Sequence, residues 1–262
     1  MGAEAKELVM QKMRKEIMEN LLNKGERLDG RGFEEIRKVI IQKNAIATAE
    51  GSAFVQLGHT QVLVATKFDV LAPFPDRPKE GALIMNSELL PLANPEFESG
   101  PPDENSIEMA RTVDRAIRSA ECVDLNSFFL EDGKVLGLFA DIYVLSHSGN
   151  YTDAATLAAT AALSCTKMPK VENAKIIRGE YTGQLPLSSL PVSTTFVRIG
   201  KHWLVDPNLY EEKVFNTRVT IATTDKHVCA MQKGPGWLTT DELLSNIDVA
   251  FKKGSELRKL LL

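Results

Sequence analysis

The 262-residue chain predicts a mixed α/β (α+β) fold in which a βαβ-type unit is duplicated. Three observations lead there. Short β-branched strands bounded by turn residues alternate with capped or small-residue helices. The segment Phe54–Val64 (FVQLGHTQVLV) is echoed by Phe196–Val205 (FVRIGKHWLV), allowing one residue of slip after the glycine. Each copy reads strand, glycine turn, strand, then further strands and a capped helix, as a duplicated unit would. Finally, residues 135–147 form a near-continuous apolar run, which marks a central strand. A helix of small residues follows at 151–165, able to approach a sheet closely.

Taken in order, residues 3–24 read as an amphipathic helix, with Leu8, Met13, Ile17, Leu21 and Leu22 at helical spacing. Asn23-Lys24-Gly25 ends it. A terminal helix with such a stripe must pack on its own body or on a neighbour. Gly25–Gly32 (GERLDGRG) is a turn-rich loop with two arginines. Strands are expected at 39–49, at 51–70 as a hairpin turning at Gly58-His59, and at 82–90. The proline-bearing stretch 71–81 between them reads as a surface loop. Residues 179–191 read as another loop. Four strands then restart the pattern at 191–200, 201–206, 218–224 and 227–234. Thr239 and Glu242 have capping-box spacing and open a C-terminal helix carrying Leu243, Leu244, Ile247, Ala250, Phe251 and Leu257. The domain division expected is a helical arm at 1–28, a first half at 29–185 and a second at 186–262.

The stretch Gly100–Cys122 carries the most chemistry. Pro101-Pro102 stops what precedes it, Asn105 can cap a helix, and Glu108 stands three residues on. At ~100° per residue, Met109, Val113, Ala116, Ile117 and Ala120 share one side. Arg111, Arg115 and Arg118 fall in an arc of roughly 60° on nearly the opposite side. Two readings are open. The arginines can be a solvated face with Asp114 and Glu108 as ion-pair partners. They can also be a row of guanidinium forks that match phosphate oxygens.

Composition narrows the function classes. A net charge of −4 excludes a globally basic nucleic-acid binder, so any such contact must be a local patch. Cys122, Cys165 and Cys229 are odd in number and far apart, with no CxxC. That points to a reducing cytoplasm, without disulfides or a structural zinc site. The four scattered histidines, His59, His147, His202 and His227, read as surface or satisfied core residues. No apolar run is long enough to span a membrane. The charged start lacks an h-region, and Lys6 stands where a myristoylation signal needs Ser or Thr.

GERLDGR, the hairpin EGSAFVQLGHTQVLVATK and the long segment MNSELLPLANPEFESGPPDENSIEMARTVDRAIR together resemble the RNase PH family. Within it, the chain resembles the non-catalytic RNase-PH-like ring subunits of the archaeal exosome, roughly from Lys24 to the C-terminal helix. The resemblance implies an RNase PH-like fold of two similar βαβα-type halves, ribosomal protein S5 domain 2-like, packed together, in agreement with the duplication. It implies a hexameric ring of three heterodimers with a catalytic RNase-PH-like exosome subunit. RNA-binding cap subunits with S1, KH or zinc-ribbon domains would sit on one face, and single-stranded RNA would be the bound nucleic acid. Active members of the family degrade RNA from the 3′ end with inorganic phosphate as the attacking group.

That chemistry needs arginines on the RNA, a helix-start turn for inorganic phosphate, and carboxylates at the scissile linkage. Arg111, Arg115 and Arg118 supply the first, with low sequence specificity because phosphate contacts carry no base information. The phosphate turn falls at His147–Asp153, where no arginine is present and Asp153 would repel an anion; a residual site near Ser148–Thr152 stays open. The first carboxylate position falls on Asp206. The second, about twelve residues on in active relatives, falls on Arg218, which cannot do a carboxylate's work. Glu211 and Glu212 are expected to be solvated acids on a turn. The resemblance therefore implies no catalytic residue of the chain's own, no cofactor, and any metal in the partner's site. Two alternatives stand beside this reading. One is an active phosphate-dependent 3′–5′ exoribonuclease. The other is a ring component whose arginine helix makes only interface salt bridges.

Overall fold

The computed structural model describes the backbone of residues 3–262 and the side chains from residue 12 onward. In chain order the first half holds helix α1 (Ala3–Asn23) and strands β1 (Val39–Lys43), β2 (Gly51–Leu57), β3 (Thr60–Leu71) and β4 (Ala82–Leu89). Helix α2 (Glu104–Ser119), a 3₁₀ turn (Leu125–Phe128), β5 (Phe129–Glu131), β6 (Lys134–Ser146) and helix α3 (Tyr151–Ser164) follow. A two-stranded sheet, β7 (Lys167–Glu172) with β8 (Lys175–Gln184), leads to β9 (Val192–Ile199) and β10 (His202–Val205). The chain ends with α4 (Leu209–Glu212), β11 (Thr217–Thr223), β12 (Val228–Lys233) and α5 (Thr240–Lys259).

Two larger sheets organise these elements. The first runs β1-β2-β3-β6-β4, with β5 also on β6, and only β4 is parallel to its neighbour. The apolar run 135–147 is the central strand β6, as its pattern requires. The second sheet runs β10-β9-β11-β12 and is antiparallel throughout. The echoed hairpins match locally. Leu57 pairs Thr60 around Gly58-His59, and Ile199 pairs His202 around Gly200-Lys201. Both turn glycines are left-handed, φ 60° and 59°, where a side chain would be strained.

Helix α3 lies between the halves, packed on β2 and β3 on one side and β9 on the other. Burial all round explains its composition: Ala154, Ala155, Ala158, Ala159, Ala161 and Ala162 are fully covered. The approach is so close that a Cβ on Gly51 would stand 2.3 Å from Thr166 Oγ1 and 2.7 Å from the Ala162 carbonyl. Helix α5 covers the other face of the second sheet, opened by the expected reciprocal cap of Thr239 and Glu242. Among the described residues no helix is long and apolar enough to cross a membrane.

Several local expectations are corrected. The strand at 39–49 stops at Lys43, because Asn44 turns left-handed at φ 57° and the chain enters a turn. The loop expected at 179–191 begins later, since β8 runs to Gln184. Among the described side chains of α1 the buried ones are Met18 and Leu22, set against Val197, Ile199, Leu204 and Val214; Met13 and Ile17 are more than half exposed. Leu8 of the expected stripe lies outside the described side chains. Helix α2 is capped by Asp103, whose carboxylate accepts from the Ser106 amide at 2.8 Å; Asn105 is already inside the helix.

Candidate nucleic-acid interface

Helix α2 buries the predicted stripe, Met109, Val113, Ala116 and Ile117, and carries Arg111, Arg115 and Arg118 exposed on its far side. The three arginines differ in what they touch. Arg118 forms an i,i+4 ion pair with Asp114 at 2.7 Å and donates to the Leu83 carbonyl at 2.8 Å. Its bond with Asp114 holds its pKa above the ordinary value. Ser106 Oγ likewise donates to the Ser87 carbonyl at 2.6 Å. Leu83 and Ser87 belong to β4, the edge strand of the first sheet, so α2 satisfies part of that edge.

Arg115 donates to Gln232 Oε1 of β12 at 3.1 Å. Arg111 has no hydrogen-bond or ion-pair partner among the described residues. Arg111 and Arg115 border a cleft of about 700 Å³ between α2 and the β4 edge, whose other wall carries Asn86, Glu88, Asp141 and Tyr143. Glu108 does not pair with the row: it accepts from Arg218 at 2.8 Å and from Gln232 at 3.3 Å. The structure thus brings Arg111 and Arg115 to one cleft and commits Arg118 largely to the fold.

Asp206 is far from solvent and heavily bonded. It is 1% exposed and left-handed at φ 52°. Oδ2 accepts from Arg37 N and Nε, both at 2.9 Å, and from Arg31 Nη1 at 3.0 Å. Oδ1 accepts from Arg37 Nη2 at 2.7 Å and Asn150 Nδ2 at 2.8 Å. Burial alone would raise its pKa, but the Arg37 bonds and the Arg37 and Arg31 charges leave it below the usual carboxylate range. Beside it, Arg27 grips Glu211 at 2.6 and 2.9 Å, with both side chains fully buried, and also bonds the Val205 and Asp206 carbonyls. The GERLDGRG loop is therefore the clamp on the segment 205–211.

These contacts overturn two expectations. Glu211 and Glu212 are not solvated acids. Glu211 is in the buried pair just described and completes a reciprocal cap with Asn208. Glu212 accepts from the Asn150 amide at 2.8 Å, and burial pushes its pKa up to about 7. The second carboxylate near Asp206 is consequently Glu212, which meets it on Asn150, while Arg218 goes to Glu108. Distance in sequence points to Arg218 there; the short α4 turn folds Glu212 back instead.

The turn 147–153 also gains an arginine through space. Arg37 Nη1 and Nη2 donate to the Ser148 and Gly149 carbonyls at 2.8 and 3.0 Å. Asp153 is buried and accepts from Asn150 Nδ2, the Thr195 amide and Thr195 Oγ1. His147 stacks on Phe97 with centroids 5.5 Å apart and meets Tyr151 edge-on. Burial lowers its pKa to about 4, so it is neutral at pH 7 and its 3.8 Å approach to Glu212 is no ion pair there. No group of three or more potential metal-ligating side chains occurs among the described residues.

Comparison with known proteins agrees with this architecture. The chain matches both domain models of the 3′ exoribonuclease family, domain 1 at residues 35–169 and domain 2 at residues 189–253. It is 48% identical over 257 residues to the exosome complex component Rrp42 of Thermococcus gammatolerans, covering 95% of this chain and 94% of that protein. It is 49% identical over 242 residues to Rrp42 of Archaeoglobus fulgidus, covering 91% and 92%. Among solved structures, a chain of the Archaeoglobus fulgidus exosome with RNA bound to the active site superposes with a TM-score of 0.86 at 44% identity, covering 96% of this chain and 98% of that one. A chain of an archaeal exosome core gives 0.84 at 42%, covering 98% and 99%. Rice Rrp46, at 18% identity and TM-score 0.70, shares the fold. With both domains matched in order and nearly the full length aligned, the chain belongs to the RNase PH, or 3′ exoribonuclease, family.

Proposed function

We propose that this chain is a non-catalytic component of an exosome, a 3′-to-5′ RNA-degrading complex, that it structures the active site of a catalytic RNase-PH-like partner and helps bind RNA in the ring. Its likeness to Rrp42 exosome components over most of its length supports the assembly: heterodimers with the catalytic subunit, three per hexameric ring, with RNA-binding cap subunits on one face. The observation that carries the non-catalytic reading is the state of Asp206. Its two oxygens already accept five hydrogen bonds, from Arg31, Arg37 and Asn150, and it is sealed from solvent. A carboxylate so engaged has no oxygen ready for a proton or a metal.

In this reading Arg111 and Arg115 meet RNA phosphates first, being exposed at one cleft. Arg118 joins them only by exchanging Asp114 for a phosphate. The halves divide at about residues 185 and 186, behind a helical arm of residues 1–28. Three free thiols suit a reducing, cytoplasmic setting.

A second reading, an active phosphate-dependent 3′–5′ exoribonuclease, gains from one observation: Asp206 and Glu212 converge on Asn150. A phosphate-dependent RNA degradation assay separates the two. Activity is expected only when the chain is mixed with its catalytic partner. Activity of the purified chain alone, abolished by Asp206→Ala, would establish the second reading.

A further inference from the structure

The arginines of α2 are held in different ways. Arg118 is matched by Asp114 at 2.7 Å, a full charge against a full charge. Arg111 has no hydrogen-bond or ion-pair partner among the described residues. Arg115 has a neutral partner: its Nη1 donates to Gln232 Oε1 at 3.1 Å. Gln232 stands on β12, the edge strand of the second sheet, opposite Thr220. A side chain of the second half therefore holds an arginine carried by the first.

Gln232 is itself fixed. Its Nε2 donates to Glu108 Oε1 at 3.3 Å, and the same oxygen accepts from Arg218 Nη2 at 2.8 Å. The amide is thereby oriented, its nitrogen toward the carboxylate and its oxygen toward Arg115. Glu108 has its counter-charge in Arg218. Thr112, Arg115 and Ala116 of α2 and Ala230 and Gln232 of β12 border a gap of about 10 Å³, space for one water at most. A gap of that size leaves the amide little room to swing.

Neutral and charged partners act differently on a guanidinium. A carboxylate orders it and offsets its charge, so a phosphate must displace the carboxylate before it can bind. An amide oxygen takes up one of its N–H donors and leaves the others, with the full positive charge, for a second acceptor. Arg115 presents them at the border of the cleft of about 700 Å³. We propose that Gln232 is a positioning residue of this cleft: it fixes the direction of Arg115 before RNA arrives, without offsetting its charge. Arg115 is then the pre-set phosphate contact, whereas Arg111 is ordered only on binding. Fixing a long side chain beforehand removes part of the ordering cost of association. The inference rests on the reading that Arg115 meets an RNA phosphate, and adds what aims it.

The test is a double-mutant cycle on RNA affinity. Single-stranded RNA is titrated into the ring assembled from this chain and its catalytic partner, at several salt concentrations. Gln232→Leu is expected to weaken binding about two- to tenfold and to leave the salt dependence unchanged, because Arg115 keeps its charge. Arg115→Ala is expected to weaken binding and to reduce the salt dependence by about one charge. The double variant is expected to match Arg115→Ala within about twofold. If Gln232→Leu does not enter the ring, Gln232→Thr, which suits a strand and is too short to reach Arg115, takes its place with the same expectations. A purely structural Gln232 would weaken binding by the same factor with or without Arg115, and that result overturns the inference. So does unchanged affinity in a Gln232 variant that enters the ring while Arg115→Ala weakens binding; the reading of Arg115 then stands. RNA binding by Arg115→Ala equal to that of wild type defeats both.

Discussion

Replacing Asp206 with alanine separates a structural carboxylate from a chemical one. The substitution removes the acceptor of five hydrogen bonds in a site 1% exposed and leaves the Arg37 and Arg31 guanidinium groups facing each other. Adding five charge-assisted bonds at about 1.5 kcal/mol or more each gives upwards of ~7 kcal/mol. That sum overcounts, because Arg37 keeps the Ser148 and Gly149 carbonyls and Arg31 keeps Asp29 and the Glu35 carbonyl. Breaking a buried ion pair from one side costs about 3–5 kcal/mol, which is the better expectation. For a chain of this size each kcal/mol moves the melting temperature by about 2–4 °C, so the midpoint should fall by roughly 6–20 °C. Asp206→Asn, which tolerates the left-handed backbone and keeps one acceptor, should fall less. The assay is thermal unfolding of the purified chain, read by circular dichroism. A midpoint for Asp206→Ala within roughly 2 °C of wild type would refute the structural role of this carboxylate.

Four further outcomes follow from the same contacts. Arg111→Glu should leave stability within about 0.5 kcal/mol of wild type, since the side chain has no partner to lose; in the assembled ring it should weaken RNA binding and reduce the salt dependence by about one charge, read by binding titrations at several salt concentrations. Arg118→Ala should cost about 0.5–1.5 kcal/mol in urea unfolding, because it frees the Leu83 carbonyl and a half-exposed ion pair. Gly51→Ala should lower the urea midpoint by an amount equivalent to about 1–3 kcal/mol, as its Cβ meets Thr166 and backbone of α3. Glu212 has a folded-state pKa raised from 4.5 to about 7, so its protonated form contributes stability that is full below 4.5 and lost as pH rises through 7. The stability of Glu212→Gln minus that of wild type should therefore be larger at pH 8 than at pH 5; an equal difference at both would show that this acid titrates normally. His147 opposes this trend, its lowered pKa favouring the folded state above 6.5 and less so as pH falls toward 4, and it is common to both proteins.

Much of the fold was legible because it is local. Hairpin turns, the apolar β6 run and the alanine-rich α3 declare themselves within a dozen residues. What escaped has physical reasons. Strand β8 is exposed along most of its length, so it shows no alternation to read. In α1 the helical period admits two neighbouring stripes, and only contact with β9 and β10 selects Met18 and Leu22 over Met13 and Ile17. The arginine row was legible as a face, but Arg118's bond to Leu83 spans 35 positions and could not be seen from the helix alone. Distance in sequence hid the carboxylate cluster most completely. Arg27 and Glu211 stand 184 positions apart, and Glu212 reaches an amide 62 positions away. The only local sign was a crowding of arginines at 27–37 and of acids at 206–212, which says that charges will pair without saying which.

The Arg37–Asp206 link also sets an order of events during synthesis. Arg37 leaves the ribosome 169 residues before its carboxylate does. At about 5–20 residues per second, the loop that will clamp the second half waits roughly 10–30 s for something to hold. Through that interval its arginines, together with the uncovered far side of α3, must be shielded by solvent or by chaperones. A nascent chain stalled before residue 206 should therefore expose this loop to protease, and one released after residue 212 should protect it.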